Sequence, residues 1–241
     1  MEKQNYRDIS RYEETNWWYV SRRRILQDMF RRVLGGGTAG SVVDVGCGTG
    51  ANVSVLRQHA ARVVGIDIAP EAVAFAREKG GYTEVLCGDA LALPLPDASV
   101  DIVVCMDVLE HVDDEAAARE IARVLRPGGY AFITVPAFAS LWNVNDDYSH
   151  HLRRYRSQRL GKIFQQAGCV AEKVYYWNCA LVVPVWVMAR LYRRGQTPLR
   201  NNLSYIPGVA NPLLRWLIRA ELVAGTHLPF GVSLCAVVRK G

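Results

Sequence analysis

The sequence predicts a doubly wound α/β fold, and three observations carry that prediction. Short β-branched runs, apolar throughout, recur from residue 42 onward, as strands covered on both faces require. Helix-like segments separate them, so the strands run parallel within one sheet. The first run, "VVDVG", leads straight into a glycine-rich turn and then a helix.

The strands are read, in order, at "SVVDVG" (41–46), "RVVGID" (62–67), "TEVLCGD" (83–89), "VDIVVCM" (100–106) and "YAFITV" (130–135). Pro70 suits a first helical position, and "DDEAAAREIARVL" (113–125) carries acid at its start and arginine towards its end, with "RPGG" (126–129) as its stop. Ser157 is read as the cap of "QRLGKIFQQAG", whose Leu160, Ile163, Phe164 and Ala167 share a face before Gly168. "VAEKVYYWN" and "VSLCAVVRK" supply two further strands. The roughly fifty residues between them are too many for an ordinary connection, which predicts an inserted helical element.

At 241 residues and half apolar, the chain can bury one sizeable core. One domain is expected: an N-terminal helical lid (1–35), a core (36–178), a helical insertion (179–231) and a last strand (232–241). The net charge of +6 is spread through periodic segments, which disfavours nucleic acid as a partner. Six cysteines without a CxxC pair read as reduced core residues. The start lacks the apolar stretch of a signal peptide, and no run approaches the ~18–20 apolar residues that span a bilayer, so a cytoplasmic protein is expected. The longest apolar run, "CALVVPVWVMA" (179–189), contains Pro184.

Gly46, Gly48 and Gly50 allow a tight turn and close approach of a ligand, with Cys47 and Asn52 in the same loop. With Ala51 the spacing also satisfies a dinucleotide fingerprint, so glycines alone do not choose the ligand. Charge does: Asp44, two positions before Gly46, repels a diphosphate and attracts an ammonium or sulfonium. Asp67 stands where a carboxylate accepts from ribose hydroxyls. Asp89 is placed to accept from an adenine amino group, with Ile68 and Ala90 flanking the ring. Together with Met106 in "CMDVLEHV" (105–112), these strand ends describe one elongated crevice.

"VVDVGCGTG", "VVGIDIAPEAVAFARE", "GDALALPLPDASVDIVVCMDVLEHV" and "VLRPGGYAFITVP" resemble the successive motifs of class I S-adenosylmethionine-dependent methyltransferases of the methyltransferase domain 11 type. The resemblance implies a Rossmann-like seven-stranded sheet of order 3-2-1-4-5-7-6 with strand 7 antiparallel. It also implies S-adenosylmethionine as cofactor, leaving as S-adenosylhomocysteine. Asp44, Gly46 and Gly48 are then expected at its methionine part, Asp67 at the ribose and Asp89 at the adenine.

"YEETNWWYVSRRRIL" resembles the E-x-x-H-W-W-x-x-x-R-R segment of a subset of these enzymes, with Asn16 in place of the usual histidine. By that analogy Trp17, Trp18 and Tyr19 close over the sulfonium and the acceptor, and Arg22 or Arg23 reaches a carboxylate. Trp18 and Arg23 are assigned to the cofactor, Trp17 and Tyr19 to the acceptor. The plainer reading is that the tryptophans dock an amphipathic helix bearing Ile25, Leu26, Met29 and Val33. "NVNDDYSHHLRRYR" (143–156) is similar to H-D-x-x-x-x-H-x-R-R-Y with Asn145 at the first histidine. Asp146, Tyr148, His150, Arg154 and Tyr155 are therefore candidate acceptor contacts. His151 is the leading candidate general base, with Glu110 and His111 as further catalytic candidates. No metal is expected: a site from Asp146, Asp147 and the histidines is disfavoured because adjacent His150 and His151 tend to point apart.

The reading is methyl transfer by in-line displacement, for which positioning supplies much of the catalysis. The acceptor is small or amphipathic, for instance a lipid-linked or natural-product hydroxyl. Arg190, Arg193, Arg194, Arg200, Arg215 and Arg219 among large apolar residues suit peripheral membrane contact through 179–224 or a greasy channel; a homodimer interface explains the same pattern equally well. The alternatives are a nicotinamide-dependent oxidoreductase and a non-catalytic cofactor-binding subunit of the same fold.

Overall fold

The computed structural model describes residues 3–195, 210–224 and 228–241. Two helices, α1 (Lys3–Tyr12) and α2 (Trp17–Leu34), precede the sheet. Asn16 is extended and caps α2, its side chain accepting from the Trp18 N–H, so the residue that departs from the resembling segment serves here as a helix cap. α2 buries Ile25, Leu26, Met29 and Phe30, a three–four spacing that lays one face on the sheet. Phe30 meets Phe132 edge-on with ring centroids 4.9 Å apart.

Strands β1 (Ala39–Val45), β2 (Ala60–Asp67), β3 (Glu84–Cys87), β4 (Val100–Met106), β5 (Leu125–Pro136), β6 (Cys169–Trp177) and β7 (Ser233–Lys240) form one seven-stranded sheet in the order β3-β2-β1-β4-β5-β7-β6. Strand β7 runs antiparallel to β5 and β6, and the remaining pairs are parallel. The order reverses between β1 and β4, which opens a crevice at the carboxyl ends of the strands. Alternate residues supply the two faces. Val43, Val45, Val64, Val103 and Cys105 pack towards α5 (Asp114–Val124) and α7 (Ser157–Gln166), while Val42, Val63, Ile102, Val104 and Phe132 pack towards α2. Burial of both faces explains why the runs are apolar throughout.

Two local expectations are corrected. The third strand ends at Cys87, so Asp89 lies beyond it in a turn bridged to Ala92. "RPGG" follows the end of α5 at Val124, as expected, but the next strand starts at once: Leu125 pairs with Val100, and after a register shift the pairing resumes at Tyr130. Ser157 is the first residue of α7 and does not cap it; Arg156 holds the cap position with no side-chain hydrogen bond. The six cysteines are unpaired, and only Cys87 is exposed.

Between β6 and β7 lie α8 (Val182–Arg193) and α9 (Ala210–Ala224), as the long connection predicts. Residues 196–209, with Arg200, and residues 225–227 lie outside the described residues. No helix among the described residues is long and apolar enough to cross a membrane.

Phe132 is fully buried at the junction of α2 and the sheet. Phe132→Ala is expected to cost about 3–5 kcal/mol in chemical denaturation, the range for emptying an aromatic core position.

Candidate active site

Gly46 follows β1 with a φ of 71°, and a Cβ there would lie 2.3 Å from Val108 Cγ2, so the turn has room only for glycine. The N–H groups of Gly46 and Cys47 donate to the Ile66 carbonyl at 2.8 and 3.0 Å, which ties the loop to β2. Gly48 N–H donates to Asp67 Oδ2 at 2.8 Å. A Cβ on Gly48 would meet nothing within 4 Å, so the outer side of the loop is open. The next helix, α3 (Val53–His59), starts only after a further turn. The loop backbone, more than a helix end, therefore faces the open space.

Asp44 lies buried behind this loop. It accepts from Tyr82 Oη at 2.7 Å and from Asn52 Nδ2 at 3.4 Å. Burial pushes its carboxyl up to about 6, against the pull of those two hydrogen bonds and the charge of Arg22. Asp67 stays half-buried at the tip of β2 and also accepts from Ala69 N–H at 3.0 Å. Ile68 beside it is 66% exposed, an apolar shelf at a polar edge. Asp89 accepts from Leu91 N–H at 2.9 Å, with Ala90 packed against the core.

The N-terminal helices close one end of the crevice. Glu13, between α1 and α2, is fully buried, and its carboxylate takes both the Thr49 hydroxyl of the glycine loop and Nζ of Lys79, the last residue of α4 (Pro70–Lys79). Lys79 also pairs with Glu14 at 2.7 Å. Arg23, expected at the cofactor, donates instead to the carbonyls of Glu13 (2.9 Å), Glu14 (3.2 Å) and Ala51 (3.3 Å), so it fastens the corner to the loop. Arg22 reaches the end of β4: it donates to the Met106 carbonyl at 3.0 Å and pairs with Asp107 at 3.3 Å. Asp107 sits at a φ of 56° and accepts from Thr134 Oγ1 at 3.0 Å.

The tryptophans follow the plainer reading. Trp17 is buried, edge-on to Trp18 at 5.5 Å, and Trp18 stacks on Trp177 of β6 at 5.6 Å, so both dock α2 on the sheet. This corrects Trp17 as an acceptor contact, because aromatic packing leaves it no open face. Burial pushes the Tyr19 phenol up to about 12.

Beyond β4 the acceptor candidates divide. Tyr155 is fully buried and donates to the Leu109 carbonyl at 2.9 Å, a core role that corrects its assignment to the acceptor. Asp146 is also buried, in α6 (Val144–Tyr148), where Arg154 grips it through Nε and Nη2 at 2.7 and 2.8 Å. Both thus act as a support. Asp146 Oδ1 meets His151 Nδ1 at 2.9 Å, and burial raises its carboxyl less than the bonds from His151 and Arg154 lower it. His151 stands with its ring 4.8 Å from that of His111, and its Nε2 is 4.0 Å from Glu110 Oε1. Burial, then the charge of Asp107, pushes the Glu110 carboxyl well up; burial, then His151, holds His111 below the usual imidazole range. Tyr148 and His150 are exposed on the outer rim. Sequence reasoning missed Glu13, Thr49, Lys79, Tyr82 and Asp107. Glu13, Thr49 and Asp107 stood inside quoted motifs, but Lys79 and Tyr82 carry no local signal.

A sheet whose last strand is reversed, an open glycine loop and carboxylates at the tips of successive strands define a methyltransferase-type cofactor site. Residues 43–133 match the family model described as a methyltransferase domain. The chain is 32% identical over 169 residues to a protein of Mycolicibacterium smegmatis named "Probable S-adenosylmethionine-dependent methyltransferase", covering 69% of this chain and 64% of that protein's length. It is 30% identical to the uncharacterized methyltransferase YcgJ of Bacillus subtilis, covering 68% of this chain and 69% of that one. Among solved structures, a chain of the complex of the Haloferax volcanii Trm112 methyltransferase activator shares the fold, with a TM-score of 0.63, 23% identity and coverage of 98% and 95%. The chain belongs to the class I S-adenosylmethionine-dependent methyltransferases, and S-adenosylmethionine is the cofactor against which its site is read.

Glu13→Ala would leave Lys79 and Thr49 without their buried partner. Because Lys79 is partly exposed, the expected loss is about 2–3 kcal/mol, below the range for a fully buried pair. Thermal melts would register it, and calorimetry should show weaker binding of S-adenosylmethionine.

Proposed function

We propose that this protein transfers a methyl group from S-adenosylmethionine to a small or amphipathic acceptor, a hydroxyl by preference. The observation that carries the proposal is the open space in front of Gly48, whose N–H is held by Asp67 at the tip of β2 beside the exposed Ile68. These residues fit the cofactor's parts: Asp67 accepts from ribose hydroxyls, Asp89 from the adenine amino group, and Ile68 and Ala90 offer an apolar bed for the ring. Gly46, Cys47, Gly48 and Gly50 bring backbone close to the methionine part, with Asn52 and Met106 behind them. When bound, the cofactor supplies an electrophilic methyl group on a sulfonium. The chain's part is to hold that methyl and the acceptor's nucleophile in line. Residues 1–35 act as a lid whose corner is pinned by Glu13. Glu110, His111 and His151 handle the acceptor's nucleophile, His151 being oriented by Asp146.

Asp44 acts through its field, since its two oxygens already have partners. Its folded pKa lies above the ordinary 3.8, so ionising it costs stability as pH rises towards about 6, and a bound cation favours the ionised form. Affinity for S-adenosylmethionine is therefore expected to rise roughly tenfold between pH 5 and 7 and then level off. Asp44→Asn should bind more weakly and lose the rise. Calorimetry with NADH in the same cell tests the oxidoreductase alternative: binding of NADH without S-adenosylmethionine would overturn the proposal. Methyl-labelled donor with fractionated extract tests turnover; cofactor binding with every fraction unlabelled favours the non-catalytic alternative.

The outer surface of the insertion (179–231) supports a lipid-like acceptor taken at a membrane surface. Val183, Trp186, Val187 and Leu191 of α8 and Leu213 and Trp216 of α9 are exposed, and Arg190 lies 4.7 Å from the Trp186 ring centroid. Burial, then Arg215 and Arg219, holds Arg24 below the usual guanidinium range, which marks a cluster of like charge suited to anionic headgroups. Vesicles rich in phosphatidylglycerol should sediment the protein, phosphatidylcholine vesicles should not, and salt or Trp216→Ala should release it. Equal recovery with both lipids would favour a soluble acceptor.

A further inference from the structure

Glu110 presents a feature that methyl transfer leaves unexplained. It is fully buried, and neither carboxylate oxygen has a hydrogen-bond partner. A protein interior tolerates such a group only when something else compensates it. One ligand atom each from Glu110, His111 and His151 lies within 4.8 Å of the others. The two imidazole rings meet edge to face at 79°, and His151 Nε2 lies 4.0 Å from Glu110 Oε1.

The surroundings are those of a held ligand set. His151 Nδ1 is 2.9 Å from Asp146 Oδ1, which leaves Nε2 on the side of Glu110. Asp146 is in turn fixed by Arg154 and by the Asn143 N–H at 2.8 Å. A carboxylate behind a histidine, itself hydrogen-bonded, is the usual backing of a metal-bound imidazole. His111 is exposed, which gives the trio a route to solvent.

We propose that Glu110, His111 and His151 bind a divalent first-row transition-metal ion of the zinc or manganese class. Two nitrogens and one carboxylate suit such ions better than magnesium or calcium, and three protein ligands leave a position open for an oxygen of the acceptor. The side chains need only draw inward to reach metal–ligand bonds of about 2.1 Å. This departs from the absence of a metal expected from sequence, with Glu110 and His111 joining His151 in place of Asp146, Asp147 and His150. Asp146 stands behind the set, and Asp147 is engaged by Trp142 and Tyr192. The inference rests on the methyl-transfer reading only for the ion's use. An acceptor hydroxyl on the open position would release its proton to solvent water near neutral pH, in place of the proton transfer to His151 expected from sequence.

The test uses the metal alone. Protein stripped by chelator is titrated with Zn²⁺ or Mn²⁺ in a calorimeter and with Co²⁺ by visible absorption. One equivalent should bind, and His111→Ala and Glu110→Gln should each weaken it at least tenfold. His111 is exposed, so its variant keeps the fold, which a melting curve verifies. Absence of stoichiometric binding, or undiminished binding in His111→Ala, overturns the proposal. S-adenosylmethionine is titrated into the same samples: failure to bind it counts against methyl transfer and leaves the ion site standing.

Discussion

The buried carboxylate of Glu13 is the contact on which the arrangement of the crevice depends. It joins the N-terminal corner, the glycine loop through Thr49 and the end of α4 through Lys79. A charge taken out of water is tolerated only with close partners, so the three parts cannot separate without exposing an unpaired ion. Arg23 extends the clamp to the carbonyls around it, including that of Ala51 in the loop. The loop thus takes its shape from glycine stereochemistry on one side and from an ion pair on the other.

A second anchor holds the opposite wall. Arg22, one residue away, turns to the end of β4 and binds Met106 and Asp107, whose left-handed backbone is steadied by Thr134 of β5. Consecutive arginines on α2 therefore grip the two sides of the topological switch between β1 and β4. The stacked Trp18 and Trp177 add the apolar half of the same attachment. The aromatic and cationic stretch before the sheet thus docks α2 on the sheet, with Arg22 and Arg23 turned inward.

The region beyond β4 is built differently. Asp146 and Arg154 form a buried, bidentate pair that carries no open valence of its own, and its effect is to set the orientation of His151. Glu110 is left facing the two histidines with nothing else to bond. Outside this end, α8 and α9 turn large apolar side chains and arginines to the surface.

What the sequence determined by itself is whatever depends on near neighbours along the chain. The apolar runs, the three glycines with positive φ, the acids at Asp44 and Asp67 and the long helical insertion are all legible, because strand burial and turn geometry leave their mark within a few residues. Tertiary structure alone decided which charges meet. Glu13 finds Thr49 and Lys79 across 36 and 66 positions, and Asp107 finds Thr134 across 27. "RPGG" gives no sign that a strand is already under way at Leu125, and Tyr155 looks like an acceptor contact until the core closes over it. Pairing of this kind is set by the packing of distant elements, and no period or spacing in the chain encodes it.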